Sequence, residues 1–445
     1  MVISSVCLIG FLSLFMLGNG LTFLFAATLS LITLVPMIAG VLALDRVEPE
    51  PKSLLLTTFL WGAGVAIALS LIFEELGFVL LAPSFGGSED FLLAVILAPI
   101  VEEIMKALVL FGLLFFRRRE INGITDGIVY AAVSALGFAA AENIEYYIFA
   151  AGDGAGSMIA LFVVRGVISP FCHPVFTSMT GVAIALSIGK RGPSSFLLPL
   201  GGLLAAIFLH ALWNGSTLFG LGGLGLAFLV TVGVLIGLLV AIRKDRIKCV
   251  ERIVVCLAQY QPTGLVTPGD LTMLSSLPLR KQARVWAKEM RGKPGMEAMR
   301  DYQQACTELS MLHDSAYLGL VSTLEFEKDR LDLLTVMEMT REGFLGPKHL
   351  AVEIAPPITQ GFIQDPPPRQ IEYVDPEPTY TPPLPPTWNT IPFPGSQADS
   401  QWGSPTPPPS QAFGVTPPEP ESNPSGPSPI LTVRAWSATA DPPAP

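Results

Sequence analysis

Long apolar runs separated by short polar connections fill the first 242 residues of the chain. A bilayer core of about 30 Å is crossed by roughly 20 apolar residues in a helix. Residues 1–44 contain no charged side chain and are long enough for two crossings, divided near Gly18, Asn19 and Gly20. Six further runs follow, at about 54–73, 91–116, 123–150, 158–188, 195–214 and 220–242. This pattern predicts an all-α polytopic membrane protein with about eight transmembrane helices.

Basic side chains occupy alternate connections between these runs. They are Arg46 and Lys52; Arg117, Arg118 and Arg119; Lys190 and Arg191; and Arg243, Lys244, Arg246 and Lys248. The intervening connections, at about 74–90, 151–157 and 215–219, contain no lysine or arginine. Cytoplasmic loops of membrane proteins carry an excess of these residues. The pattern therefore predicts a cell-membrane protein with both termini in the cytoplasm and an even number of crossings. That number is eight, or six if the two crossings assigned to residues 1–44 are not formed.

This orientation predicts which positions an impermeant thiol reagent reaches in intact cells. In a chain whose natural cysteines are replaced, single cysteines within 76–88 or 152–156 should be labelled from outside. Single cysteines within 118–120 or 244–248 should be labelled only after the cells are permeabilised. Labelling of the second group in intact cells would contradict the orientation.

The chain changes character twice after residue 242. Residues 243–350 are rich in charge, and Met299, Tyr302, Cys306 and Leu309 recur at steps of three and four, which predicts a mainly helical cytoplasmic region. Residues 351–445 hold 26 of the 40 prolines and are predicted to form a disordered tail. PxxP spacings there could bind an aromatic groove of a partner, although an unspecific spacer is the simpler interpretation. The three predicted domains are 1–242, 243–350 and 351–445.

Charge and cysteine content exclude two classes of protein. The net charge is −10, and no sustained positive surface of the kind that binds nucleic acid is present in the sequence. The five cysteines form no CxxC pair, so neither a disulfide scaffold nor a zinc ribbon is predicted.

Polar and ionisable side chains lie inside four of the apolar runs. Each charge costs about 2.5–3.5 kcal/mol at the centre of a membrane, so such residues are rarely without a role. They are Glu102, Glu103 and Lys106 in the run at 91–116, Glu142 and Asn143 in the next, Arg165 and His173 in the run at 158–188, and His210 and Asn214 in the run at 195–214. Pairs that hold a bundle together are the simpler interpretation, and Lys106 can pair with either preceding glutamate. So many such groups on four helices nevertheless favour a functional site in a water-filled cavity.

Carboxylates and neutral imidazoles can activate water, either directly as a general base or by holding a metal ion that does so. The chain has no HExxH helix, so a thermolysin-like zinc site is not indicated. The residues themselves therefore predict a membrane-embedded hydrolase and leave its substrate open.

Four motifs resemble, in order, those of the PrsW intramembrane proteases, which form a wider group with the CAAX prenyl endopeptidases and the bacteriocin-processing proteins. They are Glu102-Glu103-x-x-Lys106, Phe138-x-x-x-Glu142-Asn143, His173 with Phe176 and Thr177, and His210-x-x-x-Asn214. Asp45-Arg46 followed by Glu48-Pro49-Glu50-Pro51 is also similar to that family. The resemblance covers about residues 30–242.

The resemblance implies proteolysis of a membrane-anchored protein in the lipid bilayer, such as an anti-sigma factor. It assigns Glu102 as the base, Glu103 as the partner of Lys106, Glu142 as a helper, His173 as the residue that orients water or binds metal, His210 and Asn214 as the oxyanion-stabilising pair, and Phe138, Asn143 and Arg165 as supporting residues. A Zn²⁺ ion held by Glu142, His173 and His210 is compatible with the resemblance, and so is a metal-free glutamate mechanism.

Two other functions remain as alternatives. A non-catalytic membrane scaffold or receptor subunit is disfavoured because all of the motif carboxylates and histidines are present. A proton-coupled or ion-coupled transporter would use similar buried charges, but no inverted repeat is evident in the sequence.

Overall fold

Helices account for all the regular structure in the part of the chain that is described, residues 1–46 and 48–346 of a computed structural model. The predicted proline-rich tail, 351–445, lies outside the described residues. The helices are α1 (Val2–Leu44), α2 (Lys52–Leu60), α3 (Ile67–Leu81), α4 (Glu89–Phe91), α5 (Ala98–Phe116), α6 (Ile124–Ala151), α7 (Ala155–Phe162), α8 (Cys172–Ser187), α9 (Ser194–Ser216), α10 (Gly220–Ala258), α11 (Pro268–Leu274), α12 (Leu277–Tyr317) and α13 (Thr323–Leu345). All described residues belong to one structural unit.

Five helical stretches are long and apolar enough to cross a membrane. They are Val2–Leu44, Lys52–Ser84, Ile124–Ala151, Ala155–Ser187 and Ser194–Ala258. Helix α5 is also largely apolar, but three of its 19 residues are the charged Glu102, Glu103 and Lys106. The chain is therefore a helical membrane protein with several spans.

Glycine marks the predicted division of the first 44 residues. Gly20 has φ 52° and ψ −119°, which lies outside the helical region, so α1 bends there. A side chain would be strained at this positive φ, whereas glycine adopts it freely. The first 44 residues are therefore two helical pieces that meet at a kink at Gly20, where the sequence predicts the division.

Three π-helical segments interrupt the bundle, at Trp61–Ala66, Leu92–Leu97 and Val163–Ile168. The first joins α2 to α3, the second joins α4 to α5, and the third continues α7. Such segments are rare and occur frequently at functional sites. Each of the three packs near the polar residues described below.

Helix α6 lies at the centre of the bundle and is buried along most of its length. It packs against α1, α2, α5 and α8. Glycines allow two of these contacts to be very close. A Cβ atom on Gly127 would lie 2.3 Å from the carbonyl oxygen of Gly181, and one on Gly137 would lie 2.2 Å from that of Phe59. Small residues of this kind let membrane helices approach closely.

Two boundaries differ from the sequence prediction. Helix α3 continues to Leu81, eight residues beyond the predicted end at 73, because Glu74 lies inside the helix rather than in a loop. Helix α10 runs without a break from Gly220 to Ala258, past the predicted domain boundary at 242.

The region after α10 is helical, as predicted, and it contacts the bundle. Helices α12 and α13 pack against each other, and α12 also packs against α10. Arg252 on α10 forms an ion pair with Asp314 on α12 at 2.7 Å, and Arg119 forms one with Asp329 on α13 at 3.6 Å. These contacts connect the membrane bundle to the charged region that follows it.

Candidate active site

Lys106 lies at the centre of the buried polar cluster. Its side chain is completely buried, and its Nζ donates to Glu102 Oε2 at 2.8 Å and to Glu103 Oε1 at 3.0 Å. The third acceptor is His173 Nδ1, also at 3.0 Å. The ammonium also lies 4.1 Å from the centre of the Phe138 ring, so the aromatic face supports the cation. An ammonium group has three protons to donate, and all three are used here.

Glu103 has both carboxylate oxygens engaged. Oε1 accepts from Lys106 and lies 3.1 Å from His210 Nδ1, while Oε2 accepts from the Thr177 hydroxyl at 2.7 Å. The residue is completely buried. A carboxylate held by three donors in this way is fixed in position and is a poor candidate to take up a proton from water.

Glu102 differs from its neighbour in having one oxygen without a partner. Oε2 accepts from Lys106, and among the described residues Oε1 has no hydrogen-bond partner. The carboxylate is 5% exposed, compared with 0% for Glu103. Glu102 is therefore the carboxylate of this pair that is free to bind a water molecule.

His173 connects the lysine to a third carboxylate. Because an ammonium can only donate, the Nδ1 atom that faces Lys106 must be the acceptor. The proton is then on Nε2, which lies 3.1 Å from Glu142 Oε2. Glu142 also pairs with Arg165 Nη2, and Arg165 Nε donates to Asn143 Oδ1 at 2.9 Å. Arg165 belongs to the π-helical segment Val163–Ile168, and its guanidinium contacts two consecutive residues of α6, Glu142 and Asn143.

His210 approaches the cluster from α9. Its Nδ1 faces a carboxylate oxygen of Glu103 and is therefore the protonated nitrogen. Its Nε2 then carries the lone pair and lies 3.9 Å from Glu102 Oε2. The His173 and His210 rings are nearly perpendicular, with centroids 5.1 Å apart. A water molecule that donated to both Glu102 and His210 would occupy the space between the two helices.

The structure brings together nearly all the site residues predicted from the sequence. Glu102, Glu103, Lys106, Phe138, Glu142, Asn143, Arg165, His173 and His210 form one connected network. Asn214 is placed differently: its amide donates to the carbonyl oxygen of Ala94 in a π-helical segment at 2.9 Å. No hydrogen bond joins Asn214 to the network in the part of the chain that is described.

A small cavity borders this network. It has a volume of about 30 Å³ and is lined by His173, Asn143 and Arg165 together with Ser30 and Thr33 of α1. A water molecule needs about 10–15 Å³ of such volume and several polar partners. The cavity is therefore large enough for about two water molecules next to His173 and Arg165.

The donor set fits a divalent cation. One ligand atom each from Glu102, His173 and His210 lies within 4.8 Å of the others, and two imidazoles with one carboxylate form a common catalytic zinc set. This set contains Glu102 in place of the predicted Glu142, which pairs with Arg165 and His173 instead. In the arrangement described, Lys106 provides the positive charge between Glu102 and His173. A metal ion at these ligands would have to displace the ammonium from at least one of them.

Two contributors to the site are absent from the residues predicted for it. Glu74 on α3 has a buried Oε1 without a hydrogen-bond partner among the described residues, and it interacts electrostatically with Glu142. In the sequence, Glu74 follows the apolar run at 54–73, and the hydropathy pattern predicts a loop at that position. Tyr146, one turn after Glu142, packs against Arg165, with the guanidinium carbon 4.0 Å from the ring centre.

Comparison with known proteins gives consistent similarities. A sequence model of the family described as PrsW family intramembrane metalloprotease matches residues 50–242. Protease PrsW of Clostridioides difficile (strain 630) is 32% identical over 161 residues, covering 35% of this chain and 65% of that protein. Protease PrsW of Geobacillus kaustophilus (strain HTA426) is 31% identical over 179 residues, covering 38% of this chain and 69% of that protein. Protease PrsW of Bacillus subtilis (strain 168) is 27% identical over 172 residues, covering 39% of this chain and 71% of that protein. No solved structure gives a significant match.

The helical bundle and its buried carboxylate and imidazole cluster, together with these similarities, define a membrane-embedded peptidase. The chain belongs to the PrsW family of intramembrane metalloproteases. The resemblance predicted from the sequence motifs is confirmed. The region matched by the family model contains every residue of the buried cluster and ends at 242, so the region from α11 onward lies outside that match.

Proposed function

We propose that the chain hydrolyses a peptide bond of a membrane-anchored protein, with Glu102 as the general base. The observation that carries this proposal is the difference between the two neighbouring glutamates: Glu103 is fully hydrogen-bonded, whereas Glu102 has a free oxygen. The His210 Nε2 atom, which carries the lone pair, lies 3.9 Å from the other oxygen of the same carboxylate. Abstraction by Glu102 of a proton from a water molecule bound to its free oxygen generates the nucleophile.

The surrounding residues have distinct parts in this mechanism. Lys106 holds Glu102 in place and balances its charge. Glu103 and Thr177 orient Lys106 and His210. Glu142 and Arg165 fix the orientation of His173. Asn214 lies one turn from His210; one proton of its amide group is engaged by the Ala94 carbonyl, and the second would donate to the oxyanion.

A metal ion in this family's site would be held by Glu102, His173 and His210. When bound, such an ion lowers the pKa of a coordinated water and polarises a carbonyl group. Zn²⁺ is the ion that this donor set favours. With an ion bound, Glu102, His173 and His210 would act as its ligands, and the Lys106 ammonium would have to leave Glu102 or His173.

Metal chelation separates the two versions of the mechanism. If an ion held by Glu102, His173 and His210 activates the water, phenanthroline or EDTA should abolish peptidase activity of the purified full chain, and stoichiometric Zn²⁺ should restore it. Bound metal measured by mass spectrometry before and after chelation provides the control. Unchanged activity in metal-free protein would support the metal-free glutamate mechanism instead.

Several finer features belong to the same proposal. The chain would cross the cell membrane eight times with both termini in the cytoplasm, consistent with the alternating basic connections. The substrate would be a single-span protein of the anti-sigma-factor kind that the sequence resemblance implies. The scaffold and transporter alternatives receive no support from the family membership.

Mapping of new protein termini tests the proposed reaction. Membrane fractions from cells that produce the parent chain should contain fragments of single-span proteins cut inside or beside their apolar segment. Cells that produce His210→Ala should lack these fragments, because the imidazole next to Glu102 is removed. Cuts confined to soluble loops, or equal fragments in both cell types, would contradict intramembrane proteolysis.

A further inference from the structure

A large groove lies where the membrane helices meet the following region. Its volume is about 1380 Å³, and it opens between α1, α2 and the first part of α12. It shares only Leu34 with the cavity beside the cluster of buried carboxylates. The groove is therefore a separate feature from the proposed catalytic site.

One end of the groove is apolar. Leu34, Ile38 and Leu42 follow one another at four-residue steps along α1. Because a helix rises 1.5 Å per residue, these three side chains form a strip about 12 Å long. Leu55 and Phe59 of α2 face the strip from the other side. Such a surface fits a hydrocarbon chain that lies parallel to the membrane helices.

The other end of the groove is basic. Arg46 and Lys52 lie beside the ends of α1 and α2, and Lys281, Arg284 and Arg300 come from α12. Within the described residues, Lys52, Lys281 and Arg284 form no ion pair or hydrogen bond. Partial burial lowers the pKa of Arg284, and the nearby guanidinium of Arg300 lowers it further. Lys52, Lys281 and Arg284 thus line the groove without an acidic partner, whereas Arg300 pairs with Asp301 at 3.2 Å.

The acidic residues along the groove do not cancel this charge. Asp45 and Glu50 are 5% and 7% exposed, and their carboxylates are occupied. Asp45 accepts from the Glu50 backbone, and Tyr130 donates to Glu50 Oε2 at 2.6 Å. Burial raises the pKa of Glu50, and the nearby Asp126 carboxyl raises it further, so this carboxyl is held towards its uncharged form. Glu297 is the remaining acid, and Lys293 lies 3.6 Å from it.

The first part of α12 continues the same character outside the groove. Residues 277–291 contain five basic side chains and one acidic side chain. Val285 and Met290 on this stretch are 48% and 62% exposed, although they are apolar. A basic helix with exposed apolar side chains at the end of a membrane bundle is typical of a helix that lies on a lipid surface.

We propose that this groove binds an anionic phospholipid, with an acyl chain along Leu34, Ile38 and Leu42 and the phosphate near Lys281 and Arg284. The change from apolar to basic along the groove matches the change from chain to headgroup in such a lipid. Basic pockets between membrane helices bind acidic lipid headgroups in this manner. A zwitterionic lipid would leave the positive charge of the groove uncompensated.

The test uses the full chain, purified in detergent, stripped of lipid and titrated with phosphatidylglycerol or phosphatidylcholine. The test variant is Lys281→Gln/Arg284→Gln. The matched control is Lys190→Gln/Lys328→Gln, which removes the same charge from two exposed side chains that lie outside both the groove and residues 277–291. Lipid binding is measured by native mass spectrometry and by the shift in thermal unfolding temperature.

We expect the parent and the control to bind phosphatidylglycerol with the same affinity and to bind phosphatidylcholine much more weakly. The test variant should bind phosphatidylglycerol roughly 25-fold more weakly, since each basic side chain near an acidic lipid surface contributes about fivefold. Equal binding of the two lipids, or an equal loss in both variants, would overturn the proposal. Stabilisation by free inorganic phosphate or by an acidic peptide, at the concentration where phosphatidylglycerol acts, would also overturn it.

Cross-linking gives a second measurement that does not depend on variants. Phosphatidylglycerol with a photoreactive group on its acyl chain should label peptides that contain residues 34–42 or 55–59 of the parent chain. Labelling confined to other lipid-facing helices would overturn the proposal. Neither measurement involves peptide hydrolysis, so its outcome is independent of the proposed catalytic function.

Discussion

Replacing Glu102 by glutamine is expected to lower the rate of peptide cleavage by about 10²–10⁴-fold, the usual contribution of a general base. Glutamine keeps the size of the side chain and can still accept the proton of Lys106. It cannot take up the proton of a water molecule. The rate should be measured with a validated substrate and the purified chain in lipid nanodiscs.

The control for this variant is Glu75→Gln, which removes a carboxylate from an exposed position on α3. Both variants should reach the membrane in normal amounts and unfold at the parent temperature, because neither leaves a buried cation without an acceptor. Cleavage by Glu102→Gln at the parent rate would show that another group activates the water. Loss of activity in Glu75→Gln as well would point to a general effect of charge on the bundle.

Replacing Lys106 by methionine is expected to have the largest effect on stability. With neutral imidazoles and ionised carboxylates, the cluster contains three negative charges and two positive charges. Removal of Lys106 leaves three buried carboxylates with Arg165 as the remaining cation. Breaking a buried ion pair by removing one partner costs about 3–5 kcal/mol. The amount of folded protein and the unfolding temperature in detergent should both fall markedly.

The double variant Lys106→Met/Glu103→Gln should recover much of this loss. It restores the original net charge of the cluster, and the glutamine can still accept from His210. Lys190→Met, at an exposed position, provides the matched single change and should unfold at the parent temperature. If the double variant is no more stable than Lys106→Met, charge balance is not what Lys106 contributes to folding. Activity should stay low in the double variant, since Glu102 loses the ammonium that holds it.

The apolar pattern predicted the bounds of α6 and α9 to within two residues. It failed at α3, because Glu74 and Glu75 looked like the beginning of a loop. In the structure α3 continues past Glu74, and this glutamate interacts electrostatically with Glu142 of the buried cluster. The sequence shows where a carboxylate lies in the chain, but not which groups of other helices surround it in the folded bundle. The π-helical segments were not predicted for a similar reason, since their hydrogen-bond pattern depends on packing.

The sequence predicted which residues form the buried site more completely than it predicted which of them pair with each other. Charges within apolar runs identified the residues, because the cost of burying them is high wherever they lie. The four-residue spacing of His210 and Asn214 also correctly places both on one face of α9. It could not show that the Asn214 amide turns to the Ala94 carbonyl, nor that Glu102 rather than Glu142 joins the two histidines as a candidate ligand. Those distinctions depend on distances between helices that lie far apart in the chain.

The central position of α6 has a consequence for when activity can begin during synthesis. Its neighbours include α1, made before it, and α8, made after it, so α6 cannot be enclosed until the ribosome has passed α8. His210 arrives later still, on α9. A partly synthesised chain can therefore hold both glutamates of α5 in the membrane without the imidazole that faces them. Proteins that insert alongside the growing chain are exposed to an incomplete enzyme until more than 210 residues have entered the bilayer.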